Sequence, residues 1–156
     1  MFVDPSHVLN SIGVNGLLAF ANGRFAIGYD AQQITEDDLN LALTATPETD
    51  LQTTVANWFK TAAANVNNTI FGYVASYELT PAEIDSSPLR GIAAELMRYE
   101  LCNNDSDDSI LARRKNAMQE LDKIAKGVIQ VKASTPASHG PVRTAAPGSQ
   151  FNWQAY

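Results

Sequence analysis

The sequence is poor in the residues that build disulfide frameworks, metal sites and membrane spans. It has one cysteine, Cys102, and two histidines in 156 residues. A single cysteine excludes an internal disulfide and a clustered-thiol metal site, and it is typical of a reducing compartment. The longest apolar region, residues 12–29, is interrupted by Gly13, Gly16, Gly23 and Arg24, so we expect no membrane span. The N-terminus has Asp4 and no basic residue before this region, which argues against a signal peptide.

Residues with catalytic potential are few and scattered. His7 and His139 lie far apart, and neither belongs to a histidine or cysteine cluster, so both are interpreted as ordinary surface or turn residues. Cys102 follows a predicted helix, whose negative dipole end disfavours a thiolate. A packed thiol is therefore the better interpretation. No glycine-rich loop has phosphate-binding spacing. The sequence predicts no enzyme activity, no metal and no cofactor.

One acidic loop resembles a calcium site in part. Asn103, Asp105 and Asp107 occupy alternate positions, as the ligands of a calcium-binding loop do. However, Asp108 stands where the sharp turn needs glycine, and Arg114 stands where the loop needs a closing glutamate. We interpret this stretch as a solvated loop that caps a helix.

Charge is divided unevenly along the chain. Residues 1–122 contain all 17 acidic residues and 7 Lys or Arg, a net charge of −10, whereas residues 123–156 contain 4 Lys or Arg and no acid. An acidic body argues against duplex DNA binding, because phosphate contacts need clustered cations. The basic C-terminal part is free to meet an acidic or mixed partner, although a merely solvated terminus would show the same composition.

The most informative stretch is residues 107–131, which predicts a capped helix followed by a short strand. Ser106 or Asp107 caps the start, and Gly127 suits the left-handed residue that ends a helix. After the glycine the apolar period changes to two, so Val128, Ile129 and Val131 are predicted to form a strand. The apolar stripe of the helix comprises Ile110, Leu111, Met118, Leu121, Ile124 and Ala125.

Further helices are predicted upstream. A capping box at Thr35 and Asp38 begins a short helix, and Thr49 or Asp50 begins the longest one, which runs through residues 51–77. Residues 80–81 end that region, and Ser87-Pro88 starts the next helix. Residues 1–30 are less regular, with helical turns, an Asn-Gly turn at residues 22–23 and a brief strand at residues 25–29. The expected fold is mainly α: an antiparallel helical bundle with a short C-terminal strand.

The last 24 residues differ from the rest. Residues 133–150 are rich in Pro, Ser, Thr, Ala and Gly, which prevents regular structure, and Phe151, Trp153 and Tyr156 follow. Solvated tails rarely end in three aromatics, because each exposes a large apolar area. The tail either folds back on its own bundle or extends as an arm that anchors in a neighbouring subunit or partner; we favour the arm. The chain thus divides into a helical domain, residues 1–132, and an extended arm, residues 133–156.

Several motifs resemble the Mu-type phage head–tail adaptor family. They are IFGYVASYEL at residues 70–79, ELMRYEL at residues 95–101 and RRKNAMQELDKIAKGVIQV at residues 113–131, with HVLNSIGVNGLLAFAN at residues 7–22 matching the family's opening segment. The similarity covers most of residues 7–131. Ser76 stands where the family has arginine, and Met97 where it has alanine.

The resemblance implies a structural subunit of the virion neck, assembled in the host bacterial cytoplasm. Such adaptors form a ring, commonly a dodecamer, under the portal protein, and they support the stopper or tail-completion protein. DNA passes through the channel without being read, and no membrane is involved. On this interpretation the arm, through Arg143, Phe151, Trp153 and Tyr156, docks on the portal. Residues 128–131 offer an edge for strand addition between subunits.

A second interpretation of the sequence does not involve a phage. The chain would be a small cytoplasmic helical protein–protein interaction module, with the aromatic C-terminus as a linear peptide motif. It predicts a stable monomer that remains monomeric beside portal protein.

Overall fold

The structure, a computed structural model, describes residues 1–28, 31–102 and 107–132. Within them the chain is helical and forms no strand, which confirms the mainly α fold. The helices are α1 Pro5–Ile12, α2 Val14–Phe25, α3 Glu36–Thr44, α4 Asp50–Val74, α5 Pro81–Ser86, α6 Leu89–Leu101 and α7 Asp108–Ala125, with a 3-10 turn at Ala75–Tyr77 after α4.

Helices α4, α6 and α7 form the centre of the bundle. α6 packs against both α4 and α7, and α4 also contacts α7. Consecutive members run antiparallel, because a short connection through α5 returns the chain along α4 and a short loop returns it along α6. The ends of α4 and α7 meet where the Tyr77 hydroxyl donates a hydrogen bond to the carbonyl oxygen of Ile124. The fully buried side chains of this centre include Val55, Val66, Ile70, Leu89, Met97, Leu101, Leu121 and Ile124.

The starts of α3 and α4 are joined by one buried polar side chain. Thr35 and Asp38 form the predicted capping box, and Thr49 forms a second one with Gln52. The amide of Gln52, which is only 4% exposed, also donates to Asp38 Oδ1 at 2.8 Å. Its carbonyl oxygen accepts from the backbone N–H of Glu48 at 2.8 Å. Both caps therefore belong to one network, which fixes the angle at which α3 packs on α4.

The N-terminal segment is more helical than the sequence predicts. α1 is capped by Asp4, whose Oδ1 accepts from the backbone N–H of His7 at 2.8 Å. The expected Asn-Gly turn at residues 22–23 is wrong, since α2 continues to Phe25. The expected strand from Phe25 is also wrong, because Phe25 is helical and residues 26–28 form no strand. The side chain of Asn22 instead holds an extended segment, accepting from Ile34 N at 2.7 Å and donating to Ile34 O at 3.1 Å. Tyr29 lies outside the described residues.

The connection between α4 and α6 holds a helix that the sequence analysis missed. Thr80 and Glu83 form a capping box and Pro81 takes the first helical position, so residues 80–81 start α5 as well as ending the preceding region. Glu78, immediately before, has a positive φ of 48°, a left-handed conformation that is uncommon outside glycine. This residue makes the sharp corner that places α5 beside the end of α4.

The end of α7 confirms the predicted stop but not the predicted strand. Asp107 caps the start, and Gly127 ends the helix with φ 71°. The backbone N–H of Val128 then bonds to the carbonyl of Lys123 at 2.8 Å, which wraps the chain back onto the last turn. Residues 128–132 follow as bends and irregular backbone rather than as a strand. Val131 is buried, and it belongs to the core of its own subunit.

Candidate assembly surfaces

The predicted partner-binding residues fall into two groups. Arg143, Phe151, Trp153 and Tyr156 of the arm lie outside the described residues, so their role stays a prediction. The predicted inter-subunit strand is described, and its side chains are divided. Val128 is 71% exposed and Ile129 partly buried, whereas Val131 is 6% exposed. Val128 is therefore available for contact with another chain, whereas Val131 packs in the core of its own subunit.

The N-terminal half of α7 presents an unpartnered apolar stripe. The sequence analysis placed Ile110 and Leu111 in the packing stripe, but Leu111 is 44% exposed and Ile110 only half-buried. Burial begins at Ala117 and continues through Leu121 and Ile124. Ala125 was also assigned to the stripe, and it too is exposed. The helix thus packs on its own subunit through its C-terminal half and projects its first turns as a free surface.

Two arginines hold this projecting half of α7 in place. Arg113 Nη1 lies 3.3 Å from Glu95 Oε1, and the guanidinium of Arg114 lies over the ring of Tyr99, 4.2 Å from the ring centroid. Both partners are on α6. An exposed ion pair contributes little stability, and stacking on an aromatic ring contributes about 0.5–1 kcal/mol at exposed sites. The contacts therefore orient the helix more than they stabilise the fold.

A second surface lies at the opposite end of the bundle, between α4, α5 and the N-terminal segment. We name it the α4–α5 groove, and its apolar walls enclose a cavity of about 390 Å³. Phe71 on α4 is 61% exposed and Met1 78% exposed at its edge. Asn67 fixes the N-terminal wall, because its Oδ1 accepts from Phe2 N at 2.8 Å. The groove is defined by Met1, Phe2, Phe71, Val74, Leu79 and Ile84.

Met1 also borders a neighbouring, smaller depression on the side of α3. This depression has a volume of about 260 Å³ and is lined by Val3, Leu43 and Phe59 among others. Its walls are mostly side chains of the core cluster. The N-terminal segment thus separates two apolar depressions, and Met1 borders both.

An ion-pair network ties the N-terminal segment to the bundle below these surfaces. Asp4 Oδ2 pairs with Arg90 Nη1 at 2.8 Å, and Arg90 also pairs with Asp85 at 2.6 Å. The hydrogen bond from His7 N lowers the pKa of Asp4; partial burial opposes that effect, and the Arg90 guanidinium reinforces it. The two carboxylates in turn raise the pKa of Arg90. The network is structural, since it joins α1, α5 and α6 and faces no cavity of the surfaces above.

The residues first considered for chemistry have ordinary surroundings. His7 Nε2 lies 2.9 Å from the carbonyl oxygen of Arg90, and Cys102 is a half-buried free thiol. In the part of the chain that the structure describes, no group of three or more His, Cys, Asp and Glu side chains could hold a metal ion. None of the helices described is long and apolar enough to cross a bilayer. The chemistry of these residues indicates packing and capping.

The sequence analysis missed the groove, although one signal was present. Phe71 lies beside the apolar stripe of α4, which passes through Ile70 and Tyr73. A large aromatic on the polar side of an amphipathic helix departs from the helical pattern, and together with other exposed apolar residues it can form a patch that marks an interaction site. That misplaced aromatic could have marked the surface.

Comparison with known proteins identifies a family to which the chain is similar. No curated protein and no solved structure matches the chain significantly. A family model described as "Bacteriophage Mu, Gp36" matches residues 20–146, which span α2 to α7 and the first part of the arm. Because this match covers most of the sequence, the chain belongs to the Bacteriophage Mu Gp36 family, a family of phage structural or morphogenesis proteins.

Proposed function

We propose that the chain is a structural head-to-tail adaptor of a tailed bacteriophage. It forms a ring under the portal, links the capsid to the stopper or tail, and lets DNA pass. Membership of the Bacteriophage Mu Gp36 family carries this proposal, because it restricts the candidates to proteins of the virion or its assembly. In this role the chain acts in the neck and needs neither catalysis nor a cofactor.

The exposed first half of α7 supports assembly into a ring. The apolar stripe of α7 packs on its own subunit at one end and is exposed at the other. The exposed half of the stripe is therefore available to another chain. Leu111 supplies the apolar contact, and Arg113, Arg114 and Lys115 follow it along the helix. The acidic first turn of α3, with Glu36, Asp37 and Asp38, offers the opposite charge elsewhere on the surface. Such heterologous contacts generate rings when the rotation closes.

The composition of the arm supports contact with the portal. It carries three aromatic anchors and Arg143 without a single acid, and aromatics with arginine are the residues that dominate binding energy at interfaces. The acidic body supports passage of DNA, since repulsion keeps phosphates from binding to the channel wall.

Deletion of the arm tests this proposal directly. Removing residues 145–156 is expected to leave the helical body folded, because the described core is built from residues 2–131. The truncated protein should no longer join capsids to tails, as counted by electron microscopy of lysates. A matched control replaces Gln150, Asn152 and Gln154 with alanine, keeping the aromatics, and should support tailed particles. Tailed particles with the truncated protein would contradict the role of the arm.

Mass measurement separates the adaptor from the small interaction module. An adaptor mixed with portal protein is expected to form a complex of high mass with several copies per portal ring. A protein that stays monomeric under the same conditions would contradict the adaptor and favour the interaction module.

A further inference from the structure

We propose that, in the free subunit, the α4–α5 groove is occupied by the aromatic C-terminus of its own chain, Phe151, Trp153 and Tyr156. The groove is a large exposed apolar surface, and the chain holds a segment whose composition and position fit it. The consequence for assembly, that portal binding must displace this segment, rests on the proposed function; the contact itself does not.

The groove has the size and chemistry of an aromatic-binding site. Its volume of about 390 Å³ falls within the range of small-ligand pockets. Phe71, 61% exposed, offers a ring for edge or offset stacking. At the rim, Asn68 and Glu78 supply polar atoms that can accept from the Trp153 indole N–H and the Tyr156 hydroxyl.

The place where the described chain ends favours its own arm as the occupant. Lys132 Nζ lies 3.5 Å from the carbonyl oxygen of Tyr77, which directly precedes Glu78 and Leu79 of the groove. The arm therefore starts beside the surface that it is proposed to cover. From Lys132 to Phe151 the chain can extend up to roughly 60 Å, so reach is no obstacle.

Tethering also favours the chain's own arm as the occupant of the groove. A tether of this length gives an effective concentration on the order of millimolar, which exceeds the concentration of neighbouring copies before assembly. The groove is bordered by Glu78, whereas residues 123–156 contain no acid. The arm therefore brings no side-chain carboxylate against Glu78, and its one arginine is Arg143.

Disulfide trapping in the full-length protein tests the contact without portal. In a Cys102→Ser background, Ala75→Cys places a thiol on the groove and Ala155→Cys places one between the arm aromatics. The matched control pairs Ala155→Cys with Ala112→Cys, exposed on α7 and about 18 Å along that helix from Ile124. We expect the groove pair to form an intramolecular bond at least about tenfold faster than the control pair.

Each other outcome overturns the proposal. Covalent dimers from the groove pair would assign the groove to a neighbour's arm, and equal rates for the two pairs would show that the arm does not occupy it. Phe71→Gln in the groove pair should slow trapping to the control rate, while Val128→Gln, also at an exposed apolar position, should not. Because Phe71 is exposed, its replacement should not unfold the protein.

A second measurement separates this contact from the adaptor role. The trapped protein is expected to lose binding to purified portal and to regain it on reduction. Trapping without loss of portal binding would overturn the displacement but keep the groove contact. Efficient portal binding by protein without residues 145–156 would instead contradict the docking role of the arm, whatever the trapping shows.

Discussion

At the scale of single residues, Asp4 connects three parts of the chain. Its Oδ1 caps α1 through the backbone N–H of His7, and its Oδ2 pairs with Arg90 of α6, which in turn holds Asp85 of α5. The sequence shows that Asp4 precedes Pro5 but does not show its ion-pair partner, since Arg90 lies 86 residues away. The cap depends on neighbours along the chain, whereas the ion pair depends on the packing of α1 against α6.

Two substitutions at Asp4 separate the cap from the ion pair. Asp4→Asn keeps a good capping side chain and loses the charge, so we expect a loss of less than about 1 kcal/mol in unfolding free energy near neutral pH. Asp4→Ala also loses the cap and should cost about 1 kcal/mol more. Urea unfolding followed by circular dichroism measures both changes. Equal losses in the two variants would contradict the capping role.

The same pair predicts a pH dependence with a definite sign. Because the pKa of Asp4 is lowered in the folded state, its ionised form stabilises the protein above the unfolded-state pKa, near 4, and this contribution is lost as pH falls through the folded-state pKa. The difference between the wild type and Asp4→Asn should therefore be largest above about pH 5 and vanish near about pH 2. A difference that grows on acidification would contradict the ion pair.

At the scale of elements, several helix ends were predictable and the connections were not. The predicted start at Ser87-Pro88 was off by one residue, since Pro88 is the N-cap of α6 and Leu89 its first residue. Caps at Thr35, Thr49 and Asp107 and the stop at Gly127 are local, because each depends on hydrogen bonds within a few residues. The turn expected at Asn22 does not form, because the Asn22 side chain instead accepts a hydrogen bond from the backbone N–H of Ile34, twelve residues away. α5 was missed because Thr80-Pro81 was interpreted only as a stop, although the same residues also start a helix.

Two glycines in different backbone conformations give a matched pair of variants. Gly127 has φ 71°, so Gly127→Ala should cost about 1 kcal/mol through backbone strain alone, since a Cβ there meets nothing within 4 Å. Gly72 lies within α4, also with nothing near a Cβ, so Gly72→Ala should add roughly 0.5–1 kcal/mol. Thermal unfolding of both variants should give shifts of opposite sign. A stabilising Gly127→Ala would contradict the left-handed stop.

At the scale of the whole molecule, the exposed apolar surfaces depend on which parts of each helix are covered by the other helices of the bundle. The sequence predicted one continuous stripe on α7, because periodicity shows which side of a helix is apolar but not how far its partner extends. α6 contacts the first half of α7 through Glu95 and Tyr99, which meet Arg113 and Arg114, and burial on α7 starts at Ala117. The same limit hid the α4–α5 groove, whose walls come from residues 1–2 and from residues 67–84, far apart in the sequence.

Two leucines ten residues apart on α7 test whether its first half is an assembly surface. Leu121 is fully buried, so Leu121→Ala should cost about 2–5 kcal/mol in unfolding free energy and affect assembly only through the fold. Leu111 is 44% exposed, so Leu111→Ala should cost less than about 1 kcal/mol. Leu111→Gln should nevertheless weaken assembly with portal by about tenfold or more, because it places a polar group in an apolar contact. Light scattering of variant and portal mixtures measures this loss. A Leu111→Gln protein that assembles as the wild type would assign the ring contact to another face, since the fold of that variant is intact.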